Sequence, residues 1–353
     1  MDLIIKILRL KITKVFLSLL FILFLLSLYF YRNWYKVQYH KAAGFYYVYK
    51  GDKAYKNKEH QKAVELYKTA LRHYPGHSRA SCNLGNIYVS FENYFEAVNY
   101  YENALKYSPD FMVCRMNLGI ILAEKTSDYD RAVQEYGRVI NSKPFTLNIP
   151  FIYSNKKAVE HNKGAAYYNT GLAYRGKSVF MGENTDISEI YLKKAKEAYK
   201  DAEKYLKDDY DNTFNAALTD HLLGNYAEAA EEYCRAADIK PEELDVHYNF
   251  ALLLRSMRLY KESLEEFEKA LFIIEYFGIE GRDKYIYGII NELKRRITDK
   301  DDLNYLKEHS NPSMLDENGI VYSKGRIQAD NQKDIDIKSM LKCSYGKKET
   351  GKK

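Results

Sequence analysis

The 353 residues of this chain would by length alone suggest two or three domains, and their formal net charge is +6. The positive charge lies at both ends, in residues 1–41 and 309–353, whereas the segment between them is slightly acidic. That segment therefore shows no basic stripe for nucleic acid. The four scattered cysteines include no CxxC pair, which argues against a zinc ribbon or a redox motif and favours Cys82, Cys114 and Cys234 as small buried hydrophobic residues.

The first predicted element is a transmembrane helix over residues 15–31, inside a basic N-terminal segment of residues 1–41. The apolar run from Val15 to Tyr31 would rise about 26 Å as a helix, close to the roughly 30 Å of a bilayer core. Trp34 and Tyr35 extend an aromatic belt at its end. Because no small-residue cleavage pair follows, an uncleaved anchor is favoured over a signal peptide or a buried core helix.

The orientation of this anchor follows from the flanking basic residues. Lys6, Arg9, Lys11 and Lys14 precede the span, and Arg32, Lys36 and Lys41 follow it. The positive-inside rule then slightly favours a cytoplasmic N-terminus, which would place the rest of the chain on the extracytoplasmic side of the membrane.

A motif that returns every 34 residues follows the anchor. The clearest copy covers residues 78–111 and contains two helical patterns, each with one apolar face. Small residues such as Gly85, Ala97 and Ala104 are expected where the two helix backbones cross closely. A fixed period of this length predicts a stacked array in which each unit covers the apolar face of its neighbour.

This pattern resembles the tetratricopeptide repeat family in its small-residue, Tyr, Ala, Tyr/Phe, Ala and Pro positions. Six copies align, over residues 44–77, 78–111, 112–146, from about 164, 210–243 and 244–277. The resemblance implies an all-α fold, a right-handed superhelical solenoid of about six helix-turn-helix repeats over 44–277, in addition to the transmembrane helix. It also implies protein or peptide binding without catalysis, cofactor or metal.

The best candidate binding residues lie on the first helix of each repeat. Five asparagines recur two residues before the small position, and three aromatic residues directly precede three of them; the set is Asn83, Asn117, Asn169, Asn215, Asn249, Tyr168, Phe214 and Tyr248. In this family the first helices line the concave surface, and a similar asparagine series in a glycosyltransferase array grips a peptide backbone. An amide can both donate to and accept from a peptide bond. The alternative is that these side chains pack or solvate the groove.

A second binding mode of the family, a clamp of Lys, Asn and Arg for a chaperone's terminal carboxylate, does not carry over. The first-repeat clamp positions hold Val48 and Asp52, and the third-repeat positions hold Val113 and Asn117. Only Asn83 matches, so binding of chaperone tails is disfavoured.

Two motifs with possible chemistry are better explained as parts of helices. Residues 171–178 fit the phosphate-loop expression GxxxxGK[ST], but Gly171 falls on the small position of a first repeat helix, and residues after Ser178 are predicted to form a loop. His73 and His77 have a metal-binding spacing, but Pro75 between them should end the helix. We therefore expect solvent-exposed histidines at a helix end and no nucleotide or metal site.

The regularity breaks at two insertions, near residues 147–163 and near 176–188 inside the turn of repeat four. The first insertion is apolar for a loop, with Ile149, Phe151, Ile152 and Tyr153, and would meet a partner or plug a distorted joint. After repeat six, residues 278–309 are predicted to form capping helices over 282–298 and 302–309. The polar tail 310–353 is predicted to be disordered.

The sequence thus predicts a single-pass membrane protein that holds a partner protein or an extended peptide. A structural alternative is a subunit that self-associates in an envelope assembly, through its convex face or an insertion. A nucleotide-binding enzyme is a third and less favoured hypothesis.

Overall fold

The computed structural model of the chain describes residues 2–143, 156–182, 185–279, 281, 283–297, 320–321, 328–329 and 343. These residues fall into two compact units, Met1–Ile121 and Leu122–Lys353. The apolar residues of the first insertion, the helix predicted over 302–309 and most of the tail predicted to be disordered lie outside the described residues.

The described residues are almost entirely α-helical, which confirms the predicted fold class. The helices are α1 Asp2–Lys56, α2 His60–His73, α3 Ser78–Ser90, α4 Tyr94–Tyr107, α5 Met112–Glu124, α6 Tyr129–Ile140, α7 Lys156–Met181, α8 Thr185–Glu203, α9 Tyr210–Leu223, α10 Tyr226–Ile239, α11 Leu244–Ser256, α12 Tyr260–Phe277 and α13 Asp283–Arg296. Two short strands, β1 Ile320–Val321 and β2 Gln328–Ala329, pair antiparallel.

The helices follow one another as the predicted pairs, which we number as repeats one to six from the C-terminal part of α1 with α2 to α11 with α12. Within each unit, helices pack mainly on their neighbours in the chain, as in other repeat architectures. The turns inside the pairs reuse one geometry: Lys58, Glu92, Ser127, Gly224 and Arg258 all have positive φ. Gly182, after the first helix of repeat four, also has positive φ, so each of the six pairs has a left-handed residue between its two helices.

The small residues are needed where each first helix crosses its partner. A Cβ added to Gly51 would lie 2.6 Å from the Tyr67 ring, and one on Gly85 would lie 2.5 Å from the Tyr101 ring. Tyr67 and Tyr101 are buried, so neither ring can move into solvent. In repeats one and two the tyrosine of the second helix and the glycine of the first are therefore one packing unit.

Gly85→Ala should lower the free energy of unfolding by about 1–2 kcal/mol, because the new methyl group would overlap the Tyr101 ring. The cost of this overlap exceeds the gain in helix propensity from glycine to alanine. Gly137→Ala is the matched control, since a Cβ there meets nothing within 4 Å in the interior of α6. The control should be neutral or up to about 1 kcal/mol more stable. Denaturant unfolding followed by circular dichroism measures both, and equal effects at the two sites would refute the packing argument.

Helix α1 is long and apolar enough to cross a membrane by length and composition. It continues without a break from the apolar run into repeat one, ending at Lys56. The apolar side chains from Val15 to Tyr31 are exposed in the protein itself. An apolar environment outside the chain, such as the hydrocarbon core of a bilayer, would be needed to bury them.

The second insertion is not the predicted loop. Helix α7 continues through Ser178 to Met181, and α8 begins at Thr185. The prediction was wrong because the extra residues, including Val179 and Phe180, lengthen both helices of repeat four instead of widening its turn.

The expectation that Cys234 is simply a small buried residue is also wrong. Cys234 on α10 forms a disulfide with Cys343, 109 residues further along the chain. Cys343 is 2% exposed, packs in the core of repeats five and six, and its backbone N–H donates to Asp238 Oδ1 at 3.2 Å. Cys82 and Cys114 are buried free thiols, as expected.

Candidate functional site

The asparagines of repeats two and three connect each first helix to the repeat before it. Asn83 Nδ2 donates to Asp52 Oδ1 at 2.9 Å and to the Tyr67 hydroxyl at 3.1 Å, and this hydroxyl also donates to Asp52 Oδ1 at 2.7 Å. One repeat further on, Asn117 Nδ2 donates to Asn86 Oδ1 at 2.8 Å. The donor groups of both asparagines are thus used for packing, at least in part.

The acceptors of these bonds were not identified from the sequence, although the signal was present. Asp52 and Asn86 are 34 residues apart, each directly after a small glycine, and each also accepts from the tyrosine of its own second helix. In repeats three, four and five the same position holds Ile120, Leu172 and Leu218, so the asparagines of repeats four, five and six have no such acceptor in the repeat before them.

The asparagines of the later repeats accordingly bond differently. Asn169 and Asn249 donate to carbonyl oxygens one turn back in their own helices, those of Ala165 and Asp245. Asn215 is buried, donates to the Tyr168 hydroxyl at 3.2 Å and accepts from Arg175. Asn215 also donates to the carbonyl oxygen of Asp211, so all three of these asparagines bond one turn back in their own first helices, unlike Asn83 and Asn117.

The three predicted aromatic residues contact the core. Phe214 stacks on Tyr210 with ring centroids 5.8 Å apart, and Tyr248 packs edge-on to Phe267 at 5.8 Å. Tyr168 lies 6.0 Å from Tyr199, and burial raises the pKa of Tyr168 to about 12. Each ring is only partly buried, so it combines a packed side with an accessible one.

A groove of about 460 Å³ opens between the first helices of repeats one and two. Its lining residues are Phe45, Val48, Tyr49, Asp52, Lys53, Lys56, His77 and Arg79. Asp52 is held by Arg79 Nη2 at 2.6 Å as well as by the bonds from Tyr67 and Asn83. The groove combines exposed aromatic surface with positive charge, both mainly on α1. Sequence reasoning missed it because its opposite wall, with His77 and Arg79, comes from the start of α3.

The prediction of solvent-exposed histidines was wrong. His73 does end α2 before Pro75, but it is half-buried and its Nδ1 lies 3.1 Å from Nδ1 of His40. His77 is buried as the N-cap of α3, where its Nδ1 accepts from the N–H of Ala80. Burial lowers the pKa of His77, which therefore stays neutral at pH 7. Among the described residues, no cluster of three or more His, Cys, Asp or Glu could hold a metal ion.

The phosphate-loop expression has no phosphate-binding geometry. Residues Gly171 to Ser178 lie inside α7, where the backbone N–H groups serve the helix. Lys177 bonds to Asp130 and lies 4.6 Å from the centre of the Tyr191 ring. The motif therefore has a structural role in holding α7 against α6 and α8.

A buried carboxyl group in repeat five gives the protein a pH-dependent stability. Burial and the neighbouring Asp220 carboxylate raise the pKa of Glu232 to about 7, and Glu232 Oε2 has no hydrogen-bond partner among the described residues. A raised pKa means that the folded state keeps a proton which the unfolded chain loses above about pH 4.5. This contribution to stability is complete in acid and is lost as the pH rises through 7.

Glu232→Gln should therefore stabilise the protein at pH 8 by about 1–2 kcal/mol, a figure reduced for the partial exposure of the side chain. At pH 4, where the parent carboxyl is protonated in both states, the variant and the parent should differ little. Thermal unfolding at both pH values measures this, and a difference that is the same at the two would contradict the assignment.

Comparison with known proteins agrees with this architecture. Residues 78–111 match the family model described as a tetratricopeptide repeat. Among solved structures, PilW, a type IV pilus biogenesis factor, is 14% identical with a TM-score of 0.50, over 69% of this chain and 98% of that one. PilF of Pseudomonas aeruginosa is 14% identical with a TM-score of 0.52, over 73% and 99%.

A third structure, Acl4, an assembly chaperone of RpL4, is 14% identical with a TM-score of 0.51, over 76% of this chain and 99% of that one. At such identities the similarity concerns the fold alone. A search of the curated proteins found no match.

Proposed function

Because the chain is built from tetratricopeptide repeats, we propose that it is a membrane-anchored scaffold that binds an extended segment of a partner protein along its first helices. The observation that carries this proposal is the continuity of α1, which joins an apolar, membrane-length run directly to repeat one. The repeat helices are thereby fixed to the anchor without a flexible linker. Proteins with this fold are typically non-enzymatic interaction scaffolds.

The candidate contact residues are the five asparagines and three aromatic residues named above. Asn83, Asn117, Asn169 and Asn249 are not fully buried, and their side-chain oxygens accept no bond among the described contacts. An oxygen of this kind can accept from the backbone N–H of an extended peptide without reading its sequence. The asparagines would then use their amide groups for packing and their oxygens for the ligand.

We place the repeats on the extracytoplasmic side of the membrane. The charge difference across the apolar run favours this side only slightly. The Cys234–Cys343 disulfide supports it more strongly, because structural disulfides persist mainly in oxidising compartments.

The test is capture of the partner by the intact chain. The tagged protein is cross-linked in its native membrane, and the captured chains are identified by mass spectrometry. Asn117→Ala combined with Asn169→Ala should reduce capture at least tenfold with helicity unchanged. Asn99→Ala, at an exposed asparagine on the second helix α4, should leave capture intact. Equal capture by all three proteins would exclude the asparagines as the binding surface.

A second function, self-association in a membrane assembly, is favoured by an exposed apolar surface at the extended end of repeat four. Val179 and Phe180 are 72% and 70% exposed, and Ile190 on α8 is 51% exposed. Light scattering of the intact chain in detergent should then give a mass above that of a monomer. The double variant Val179→Ser with Phe180→Ser should lower this measured mass. A monomer at high concentration would exclude this function.

A further inference from the structure

The groove between repeats one and two contains apolar surface that the described residues leave open. Phe45 is 58% exposed and Tyr49 is 68% exposed, one turn apart on α1. Large aromatic side chains at this exposure are common at sites that bury an apolar side chain of a partner.

The charge of the groove is positive and partly unpaired. Its acid, Asp52, is compensated by Arg79 and accepts two further hydrogen bonds. Lys53 and Lys56 have no ion-pair partner among the described residues. The groove therefore presents two lysine cations without a direct ion pair, of which Lys53 interacts with the Glu59 carboxylate only at longer range.

A buried hydrogen-bond donor lies beside these cations. His77 Nδ1 accepts from the N–H of Ala80, so the ring hydrogen is on Nε2. That atom is buried and has no partner among the described residues. The exposed Phe45 ring packs edge-on against the His77 ring, with centroids 4.7 Å apart.

We propose that this groove binds an acidic, extended segment of the partner protein, with carboxylates at Lys53 and Lys56 and an apolar side chain between Phe45 and Tyr49. The proposal rests on the proposed scaffold function and specifies the chemistry of its ligand. A peptide is favoured over a lipid headgroup because Lys53 lies about 33 Å along α1 from the end of the apolar run at Tyr31, beyond the headgroup layer.

The test uses the full chain in phosphatidylcholine nanodiscs and a fluorescein-labelled ten-residue peptide of alternating Glu and Leu, with alternating Lys and Leu as the control peptide. Fluorescence anisotropy should show binding of the acidic peptide only, weakened by added salt. Lys53→Glu should weaken binding about tenfold. Lys50→Glu, the same charge change on the exposed side of α1 outside the groove, should change it less than twofold.

Several results would overturn the proposal: no binding of the acidic peptide, equal binding of the basic one, or equal losses in the Lys50 and Lys53 variants. Nanodiscs with about a third phosphatidylserine should leave the peptide affinity unchanged. A loss of affinity there would mean that lipid headgroups compete with the peptide for Lys53, and would overturn the proposal.

The partner-capture experiment separates failure of the acidic-ligand proposal from failure of the scaffold function. If the peptide fails but capture by the intact chain persists, only the acidic ligand is wrong; if capture also fails, the scaffold function is wrong.

Discussion

Reduction of the Cys234–Cys343 disulfide should lower the free energy of unfolding by about 2–5 kcal/mol, because the bond closes a loop of 109 residues in the unfolded chain. In the folded state, Cys343 lies among the buried residues of repeats five and six and its N–H is bonded to Asp238. Thermal unfolding of the intact chain, with and without dithiothreitol, measures the loss.

The control for this prediction is the double variant Cys234→Ser with Cys343→Ser. It should unfold at the lower temperature of the reduced parent and should not respond to dithiothreitol, although Cys82 and Cys114 remain. A parent that is reduced by mass spectrometry but unchanged in its unfolding midpoint would contradict the structural role of the bond.

The oxidation state of the same bond indicates the cellular compartment in which the repeats lie. Cells are quenched in acid and labelled with a polyethylene-glycol maleimide, which adds mass to each free thiol. An extracytoplasmic repeat region should keep Cys234 and Cys343 unlabelled until reductant is added. Immediate labelling of both would place the repeats in a reducing compartment.

His247→Ala should cost about 3 kcal/mol, because His247 supports a carboxylate in the core of repeat six. His247 is fully buried, with Nδ1 2.6 Å from Glu266 Oε2 and Nε2 2.8 Å from the carbonyl oxygen of Pro241. Both ring nitrogens lie within hydrogen-bond distance of an oxygen atom, so the ring connects the Glu266 carboxyl group to the carbonyl oxygen of Pro241. Its removal would leave Glu266 with Lys269 as its remaining charged partner in a buried site.

The pH dependence identifies this mechanism. Burial opposes ionisation of Glu266, but the hydrogen bond from His247 and the charge of Lys269 outweigh it and hold the pKa of that carboxyl below its usual value. Because this pKa is lower in the folded state than in the unfolded chain, the ionised Glu266 carboxylate stabilises the fold above about pH 4.5. This contribution to stability is lost as the pH falls through the folded-state pKa. The cost of His247→Ala should therefore shrink in acid. Lys193→Ala, which breaks an exposed pair with Glu189, should cost under about 1 kcal/mol at any pH.

The fold could be predicted from the sequence because its packing repeats. The close packing of Gly85 on the Tyr101 ring is repeated 34 residues earlier by Gly51 and Tyr67, so each copy of the motif supports the assignment of the next. The helical extension of repeat four was missed because Val179, Phe180 and Met181 have no counterpart in other copies. The disulfide was missed because Cys343 lies outside the period and meets Cys234 only through the folded path of the chain.

The candidate site was predictable only in part. The asparagine series was visible as a period, but its packing role depends on Asp52 and Asn86, which contact Asn83 and Asn117 across two repeats. The positive groove was not visible at all. Its two walls are joined by the Phe45–His77 ring contact and the Asp52–Arg79 ion pair, which connect two helices and have no signature in either one.

The most direct test of the scaffold account is site-specific photo-cross-linking in intact cells. A benzoyl-phenylalanine at position 49 replaces an exposed tyrosine in the groove, and one at position 95 replaces an exposed phenylalanine on the second helix α4. The account predicts a discrete partner adduct in the membrane fraction from position 49 and none from position 95. Adducts from position 95 alone, or a chain found in the soluble fraction, would contradict it.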